Sequence, residues 1–244
     1  MRNVIVTGGS RGIGLGIARR LNAAGYHAIA VARKETSQLT SAMQEAEREH
    51  PGLFHFVPFD LADIEGITTL VKTLRQNFGP IYGLVNNAGI SFDGVLALMR
   101  NSQIEQLVRV NTLSPIVLTK YVVRSMMADG GGRIVNVASI TGYSGYSGLS
   151  VYAATKASII GFTRSLAREV GRMQVNFNSV APGFIDTDMT QGLTNEQRQR
   201  IARRSALQRL AEIDDVANAV EFLLGDKAKN ITGTVLTVDA GNTA

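Results

Sequence analysis

In the stretch "SVYAATKASIIG" (150–161), Tyr152 and Lys156 lie four residues apart. At helical spacing the phenol and the ammonium share one face and can address one point. A phenol titrates near about 10 and is a reluctant proton donor or acceptor at neutrality. An adjacent ammonium favours the phenolate and lowers that value. Ser139, in "NVASITG", lies thirteen residues upstream and adds a hydroxyl that can hold a carbonyl oxygen between itself and the phenol. Asn111, in "LVRVNTLSP", is polar among apolar neighbours, and an inward amide must find partners, water being an obvious one. Alone, Tyr152 and Lys156 make an ordinary amphipathic pair. With Ser139 they suggest proton delivery to a carbonyl oxygen. For Asn111, a helix kink stabilised by its own side chain stays open as an alternative.

A second group could hold a phosphate. "TGGSRGIG" follows the first apolar run and carries Gly8, Gly12 and Gly14, with a helix predicted from about Ile13. Glycines allow a sharp turn and close approach to a pyrophosphate, and the free amides at a helix start attract its charge. The spacing G-x-x-x-G-x-G differs from the usual G-x-G-x-x-G, and no Gly-Lys-Ser/Thr follows, so it is not a P-loop. A tight turn without a ligand is the plainer alternative. The second strand ends in "VARKE", placing Arg33 where an NAD site usually has an acidic residue for the ribose. A guanidinium there suits a 2′-phosphate, and Arg11 could clamp the same group, which favours NADP. Glu35 is expected to face solvent. Asp60 could accept from an adenine amino group, and Asp63 is the better helix N-cap. In "NNAG" (86–89) the asparagines could tie strand ends together, or Ala88 and Gly89 could let the backbone approach a ribose.

These candidates follow the ends of apolar runs, so the elements that place them matter. Strands are predicted at 3–6, 27–32, 54–59, 81–85, 133–138, 175–180 and 234–238. Amphipathic helices are predicted at 12–24, 36–49, 63–78, 101–128, 151–171 and 213–224. Such alternation implies βαβ units. The predicted fold is α/β: one doubly wound Rossmann-type domain over 1–244, with a seven-stranded parallel sheet and helices on both faces. Ligands of such sheets collect beyond the carboxyl ends of the strands. "DGGGR" (129–133) reads as a helix-to-strand turn, and 186–209 as a lid-like helical insertion.

The chain has 244 residues, 45% of them hydrophobic, which suits one large domain. The absence of cysteine excludes disulfides, thiolate metal sites and a cysteine nucleophile. His27, His50 and His55 are not spaced as a ligand cluster, so no metal is expected. No targeting or membrane-spanning segment stands out, and a cytoplasmic protein is expected. The net charge of +5 suits a phosphate-rich cofactor or an acidic partner, and it is the sole support for a non-catalytic nucleotide-sensing or nucleic-acid-binding protein. Its densest patch is "RQRIARRSALQR", a solvated helix face or a docking site.

Taken together, "TGGSRGIG", "NNAG", Asn111, Ser139, "YAATK" and "APGFIDTDM" resemble the short-chain dehydrogenase/reductase family over essentially the whole chain. Within it, "NNAGISFDGVLALM", "GFTRSLAREV" and "ITGTVLTVDAG" are most similar to the 3-oxoacyl-[acyl-carrier-protein] reductases. The resemblance implies reduction of a 3-oxoacyl thioester by NADPH, with Tyr152 as proton donor. Lys156 would lower its pKa and bind the nicotinamide ribose, Ser139 would orient the carbonyl, and Asn111 would hold a relaying water. The implied NADP(H) site comprises Gly8, Ser10, Arg11, Gly12, Ile13, Gly14, Arg33, Asp60, Leu61, Asn87, Ala88 and Gly89. Pro182, Gly183, Ile185 and Thr187 would line the nicotinamide, the Ile185 backbone facing its carboxamide. The implied partners are an acyl substrate, small or carrier-linked, acyl carrier protein, and copies of the chain in a homotetramer built on 101–128 and 151–171. Acyl-CoA, a polyketide or another small ketone is the alternative substrate, and neither nucleic acid nor membrane is expected. The chain departs from those reductases in lacking basic residues just before the fifth strand, and the arginines of 198–209 could compensate.

Overall fold

The computed structural model describes residues 1–185 and 194–244. Its strands are β1 (Asn3–Thr7), β2 (His27–Ala32), β3 (Phe54–Pro58), β4 (Ile81–Asn86), β5 (Gly132–Val137), β6 (Val175–Pro182) and β7 (Val235–Val238). All pair in parallel in the order β3-β2-β1-β4-β5-β6-β7, so the direction of winding reverses between β1 and β4. The helices are α1 (Gly12–Ala23), α2 (Ser37–Glu49), α3 (Ile67–Phe78), α4 (Asn101–Val108), α5 (Ser114–Ala128), α6 (Ser150–Val170), α7 (Asn195–Arg204) and α8 (Ile213–Leu224).

The two faces of the sheet explain the near-continuous apolar strands. Val4 and Val6 of β1 and Ala28 and Ala30 of β2 pack with Leu15, Leu21, Val216 and Val220 of α1 and α8. The alternate residues Ile5, Ile29 and Val31 pack on the other face with Leu70, Leu74, Leu118, Val122 and Met126 of α3 and α5. Period-two alternation thus feeds two apolar layers, as a sheet covered on both sides requires.

Polar side chains nevertheless cross this interior. Asn86 Nδ2 donates to Thr119 Oγ1 and to Asn136 Oδ1, both at 2.9 Å. Asn136 Nδ2 donates to Thr163 Oγ1 at 2.9 Å, and Thr163 Oγ1 lies 2.7 Å from Ser179 Oγ. The chain of bonds stitches β4, β5, α6 and β6 together just below their carboxyl ends. Buried polar groups are tolerated when bonded to one another in this way, and they specify one register.

Two elements differ from expectation. The helix predicted over 101–128 is divided: α4 ends at Val108, a π turn spans Arg109–Leu113, and α5 follows. Asn111 lies buried within that turn. The helix predicted from residue 63 starts at Ile67, and Asp63 does not cap it. Its carboxylate accepts from Gly66 N at 3.0 Å and so closes the preceding loop, while Gly66 takes the cap position. Of the predicted insertion 186–209, residues 186–193 lie outside the described residues; helix α7 occupies part of the rest.

Candidate active site

Ser139, Tyr152 and Lys156 meet beyond the end of β5. Ser139 is nearly buried, and its oxygen accepts from Thr141 N at 3.2 Å as it caps the short 3₁₀ turn Ile140–Gly142. With an acceptor lone pair occupied there, its O–H is left to donate. Burial pushes the Tyr152 phenol up to about 12; the nearby Ser139 hydroxyl pulls the other way, and the exposed Asp93 carboxylate adds to the rise.

Lys156 lies one turn further along α6 and is buried. Its Nζ donates to Val137 O at 2.8 Å, at the end of β5, and lies 5.7 Å from the centroid of the Tyr152 ring. Burial pushes its pKa down to about 8. The expected depression of the phenol by this ammonium is absent from the protein by itself. Desolvation is the leading cause of both shifts, and the ammonium is held on the β5 carbonyl, over the ring rather than at the phenol oxygen.

Asn111 faces the same place from the π turn. Its Oδ1 accepts from Ile90 N at 2.9 Å, while its Nδ2 donates to Ile90 O at 2.8 Å and to Thr155 Oγ1 at 3.3 Å. The partners of the amide are thus the backbone after β4 and a hydroxyl of α6. π turns interrupt helices mostly where a side chain must be aimed at a site. Between Asn111 and Lys156 sits Gly89: a Cβ there would lie 3.4 Å from Asn111 Oδ1 and 3.7 Å from Lys156 Nζ.

The glycine turn lies at the reversal of strand order. Gly8 and Gly12 have φ of +66° and +54°, which side-chain-bearing residues rarely adopt. A Cβ on Gly14 would fall 2.2 Å from Gly8 O and 2.4 Å from Asn87 Nδ2, so only glycine lets α1 begin this close to the turn. Arg11 precedes α1 with extended backbone, and the first turn of that helix carries no acidic residue. Thr36 Oγ1 donates to Ser10 O at 2.5 Å, tying the turn to the loop after β2 that carries the exposed Arg33. Glu35 instead accepts from Thr40 Oγ1 at 2.7 Å, on α2.

Of "NNAG", both asparagines are engaged in tying strands. Asn87 Nδ2 donates to Thr7 O at 2.9 Å, and Asn86 belongs to the interior chain of bonds. Asp60 is exposed, with one oxygen accepting from Ala62 N at 2.9 Å, while Leu61 is buried in the core, leaving its backbone for any ligand. After β6, a Cβ on Gly183 would lie 2.7 Å from Asp239 Cβ. Pro182 is buried, and Ile185 forms an isolated parallel bridge with Ala211. Thr187 lies outside the described residues.

Sequence reasoning missed two contributors. Thr7 Oγ1 accepts from both Asn87 N and Ala88 N at 3.0 Å and donates to Val85 O at 3.2 Å, locking β1 to the turn after β4. Its place at the head of "TGGSRGIG" was the available signal. Asp93 acts on Tyr152 through a loop closed by the Gly94 N to Gly148 O bond, a long-range pairing with no local signature.

A parallel sheet wound both ways, a glycine turn at its reversal point and a Ser-Tyr-Lys cluster beyond the neighbouring strand define a dinucleotide-binding oxidoreductase architecture. The family model for short chain dehydrogenase matches residues 2–198, and the chain belongs to that family. It is 40% identical over 237 residues to the 3-oxoacyl-[acyl-carrier-protein] reductase FabG of Haemophilus influenzae, covering 97% of this chain and 96% of that protein. It is also 40% identical over 238 residues to the FabG of Escherichia coli, covering 97% and 95%. Among solved structures, a gluconate 5-dehydrogenase from Burkholderia cenocepacia in complex with NADP and tartrate superposes with a TM-score of 0.93. That pair shares 28% identity over 99% of this chain and 95% of that one. ElxO with NADP bound gives 0.90 at 30% identity, over 99% and 98%.

Proposed function

We propose that this protein is an NADPH-dependent reductase of 3-oxoacyl thioesters, most specifically of 3-oxoacyl-[acyl-carrier-protein], yielding the 3-hydroxyacyl thioester. The observation that carries the chemistry is the convergence of Ser139 and a protonated Tyr152 phenol, with Lys156 buried beside them. The curated relatives from Haemophilus influenzae and Escherichia coli, similar over nearly their full length, support the substrate class.

The residues present fit a phosphorylated dinucleotide. Lys156 has three N–H donors, and among the described residues only Val137 O accepts one, so a buried ammonium retains donors for a ribose diol. The turn Gly8–Gly14 would take the pyrophosphate, with Ser10, Arg11 and Ile13 contributing. Arg33 would pair with the 2′-phosphate, Asp60 and the Leu61 backbone would meet the adenine, and Asn87 would hold the strand end behind Ala88 and Gly89. Pro182, Gly183, Ile185 and Thr187 would border the nicotinamide.

NADPH, when bound, supplies the hydride. Tyr152 holds the proton destined for the carbonyl oxygen. Ser139, its own oxygen occupied by Thr141 N, directs its O–H toward that same oxygen and fixes the carbonyl. Lys156 restores the phenol's proton, and Asn111 aims the Ile90 backbone and α6 at the relay. Homotetramer formation through α4–α5 and α6, a cytoplasmic location, and a lid role for 186–209 belong to the same proposal; exposed Val108 and Leu113 support the first.

The test compares turnover on a 3-oxoacyl group linked to acyl carrier protein with the same acyl group on CoA, a polyketide thioester and simple ketones. Reduction of the carrier-linked substrate with the highest kcat/KM supports the proposal; preference for a simple ketone refutes its substrate. Tyr152→Phe should lower turnover by about 10²–10⁴-fold with NADPH affinity little changed. A near-normal rate removes the phenol from the reaction.

A further inference from the structure

We propose that the arginine face of α7 and the turn after it is the docking surface for an acidic protein that presents the acyl group as a thioester. The proposal rests on the reductase reading and adds where the partner binds. Between residues 194 and 212 stand five arginines and two glutamates, so this short segment supplies three of the chain's five net positive charges. Arg200, Arg203, Arg204 and Arg209 are exposed, and none has an ion-pair partner among the described residues. Four arginines elsewhere are paired, Arg2 with Asp226, Arg19 with Glu45, Arg20 with Glu221 and Arg75 with Asp129, and what sets this segment apart is its density of exposed cations.

The helix itself is unusual. α7 buries none of its residues and is fixed by a capping box, Thr194 with Gln197, and by Ser205 just past its end. Such a helix contributes little to the core, and Arg200, Arg203 and Arg204 on it are exposed to solvent. Beyond it, Leu207 is 61% exposed between Arg204 and Arg209. An apolar residue flanked by unmatched cations suits an acidic surface with a small apolar centre.

Its position links it to the reaction. Ser205 Oγ accepts from Asn242 Nδ2 at 3.3 Å, and Asn242 Oδ1 accepts from the Tyr146 hydroxyl at 3.1 Å. Tyr146 packs edge-on against Phe184, just past β6, and belongs to the loop that leads into α6 and Tyr152. Arg204 is close enough to lower the Tyr146 pKa against the effect of burial. The arginine face therefore lies beside the carboxyl ends of the strands, where a thioester arm must enter. Just before β5 the surface offers no comparable attraction, because Asp129 is negative and paired with Arg75.

The experiment replaces Arg200 and Arg203 together by Glu, since neither touches the Tyr146 loop, and assays the intact protein with a 3-oxoacyl group on acyl carrier protein. The control substrate is the same acyl group on N-acetylcysteamine, which is small and uncharged; CoA would bring phosphates of its own. The expected result is about a tenfold or greater loss of kcat/KM on the carrier-linked substrate, carried by KM. The wild-type advantage on that substrate should shrink with added salt, as exposed charge attraction does. Activity on the small thioester and the KM for NADPH should be unchanged, and the double Lys variant should retain most of the carrier-linked rate. Equal losses on both substrates, or no loss on either, overturn the docking surface. So does a loss of nucleic-acid binding with carrier-linked turnover intact. If wild-type protein reduces the small thioester but gains nothing from the carrier, docking fails and the reductase stands. If it reduces neither, the reductase reading fails too.

Discussion

Replacing Lys156 by Met should stabilise the enzyme free of dinucleotide while destroying its activity. Burial holds the ammonium's pKa down at about 8, against an ordinary value of 10.5. That gap corresponds to roughly 3 kcal/mol of folding free energy lost below pH 8, because the folded state resists the charge that the unfolded chain accepts. Met keeps the length of the stem without the charge and gives up one hydrogen bond to Val137 O, worth about 1 kcal/mol. The net expectation is a gain of about 2 kcal/mol at neutral pH. The sign of the pH dependence follows from the depressed pKa. Stability lost by the wild type as pH falls through 8 is recovered as pH rises toward 10.5, so the advantage of Met should narrow over that window. Urea unfolding of both proteins at pH 7 and at about pH 9.5 measures it. A Lys156→Met protein less stable than wild type at pH 7, or a difference that does not narrow, refutes the view that this lysine is a buried cation kept for function.

Gly14→Ala sets two magnitudes against each other: better helix propensity, about 1 kcal/mol, and a Cβ 2.2 Å from a backbone carbonyl. Overpacking against backbone costs about 1–3 kcal/mol or more, so the variant should unfold at lower urea and show a raised KM for NADPH; greater stability with normal KM would contradict the close approach. Arg33→Ser should reduce the ratio of kcat/KM for NADPH to that for NADH by about tenfold or more, as expected for loss of a charge-assisted bond to the 2′-phosphate, and an unchanged ratio would move that role elsewhere. His27 is held below its ordinary pKa, first by burial and then by His55, whose Nδ1 lies 2.8 Å from its Nε2. A depressed histidine contributes stability above its unfolded pKa that is lost as pH falls through the folded one. His27→Gln should therefore flatten the fall in stability between about pH 7 and pH 5, read by thermal unfolding, and an unchanged slope would assign the acid sensitivity to other groups.

The sheet was legible because its strands are apolar on both faces and separated by amphipathic stretches of the right length. β5, β7 and α6 fall within one residue of their predicted bounds, and β6 runs two residues beyond its predicted end. The division of 101–128 was not legible, since Asn111 is one polar residue in an apolar helix and the insertion that makes a π turn leaves no gap in periodicity. The start of α3 was misplaced for a similar reason: Asp63 has the chemistry of a cap, yet the 60–66 loop uses that carboxylate for Gly66. At the site, Ser139, Tyr152 and Lys156 could be singled out because each follows a strand end or repeats at helical spacing. Their protonation could not. It depends on how dry the cleft is and on Asp93, a residue far off in sequence.

That protonation bears on the direction of the reaction. Reduction of a ketone needs a neutral phenol at rest, and oxidation of an alcohol needs a phenolate. With its pKa at about 12, Tyr152 is neutral in all but roughly one molecule in 10⁵ at pH 7. Lys156, at about 8, is mostly charged at that pH yet close to giving up its proton. The pair therefore rests with a full donor and, next to it, a cation able to refill the donor after turnover. Ser139 biases the phenol the other way, toward easier release, but acts only locally and against a larger desolvation. A site arranged for oxidation would relieve that desolvation, by opening the cleft or by bringing the ammonium to the phenol oxygen. Here the ammonium is held on the β5 carbonyl and the buried phenol keeps its proton, the state in which reduction of a ketone begins.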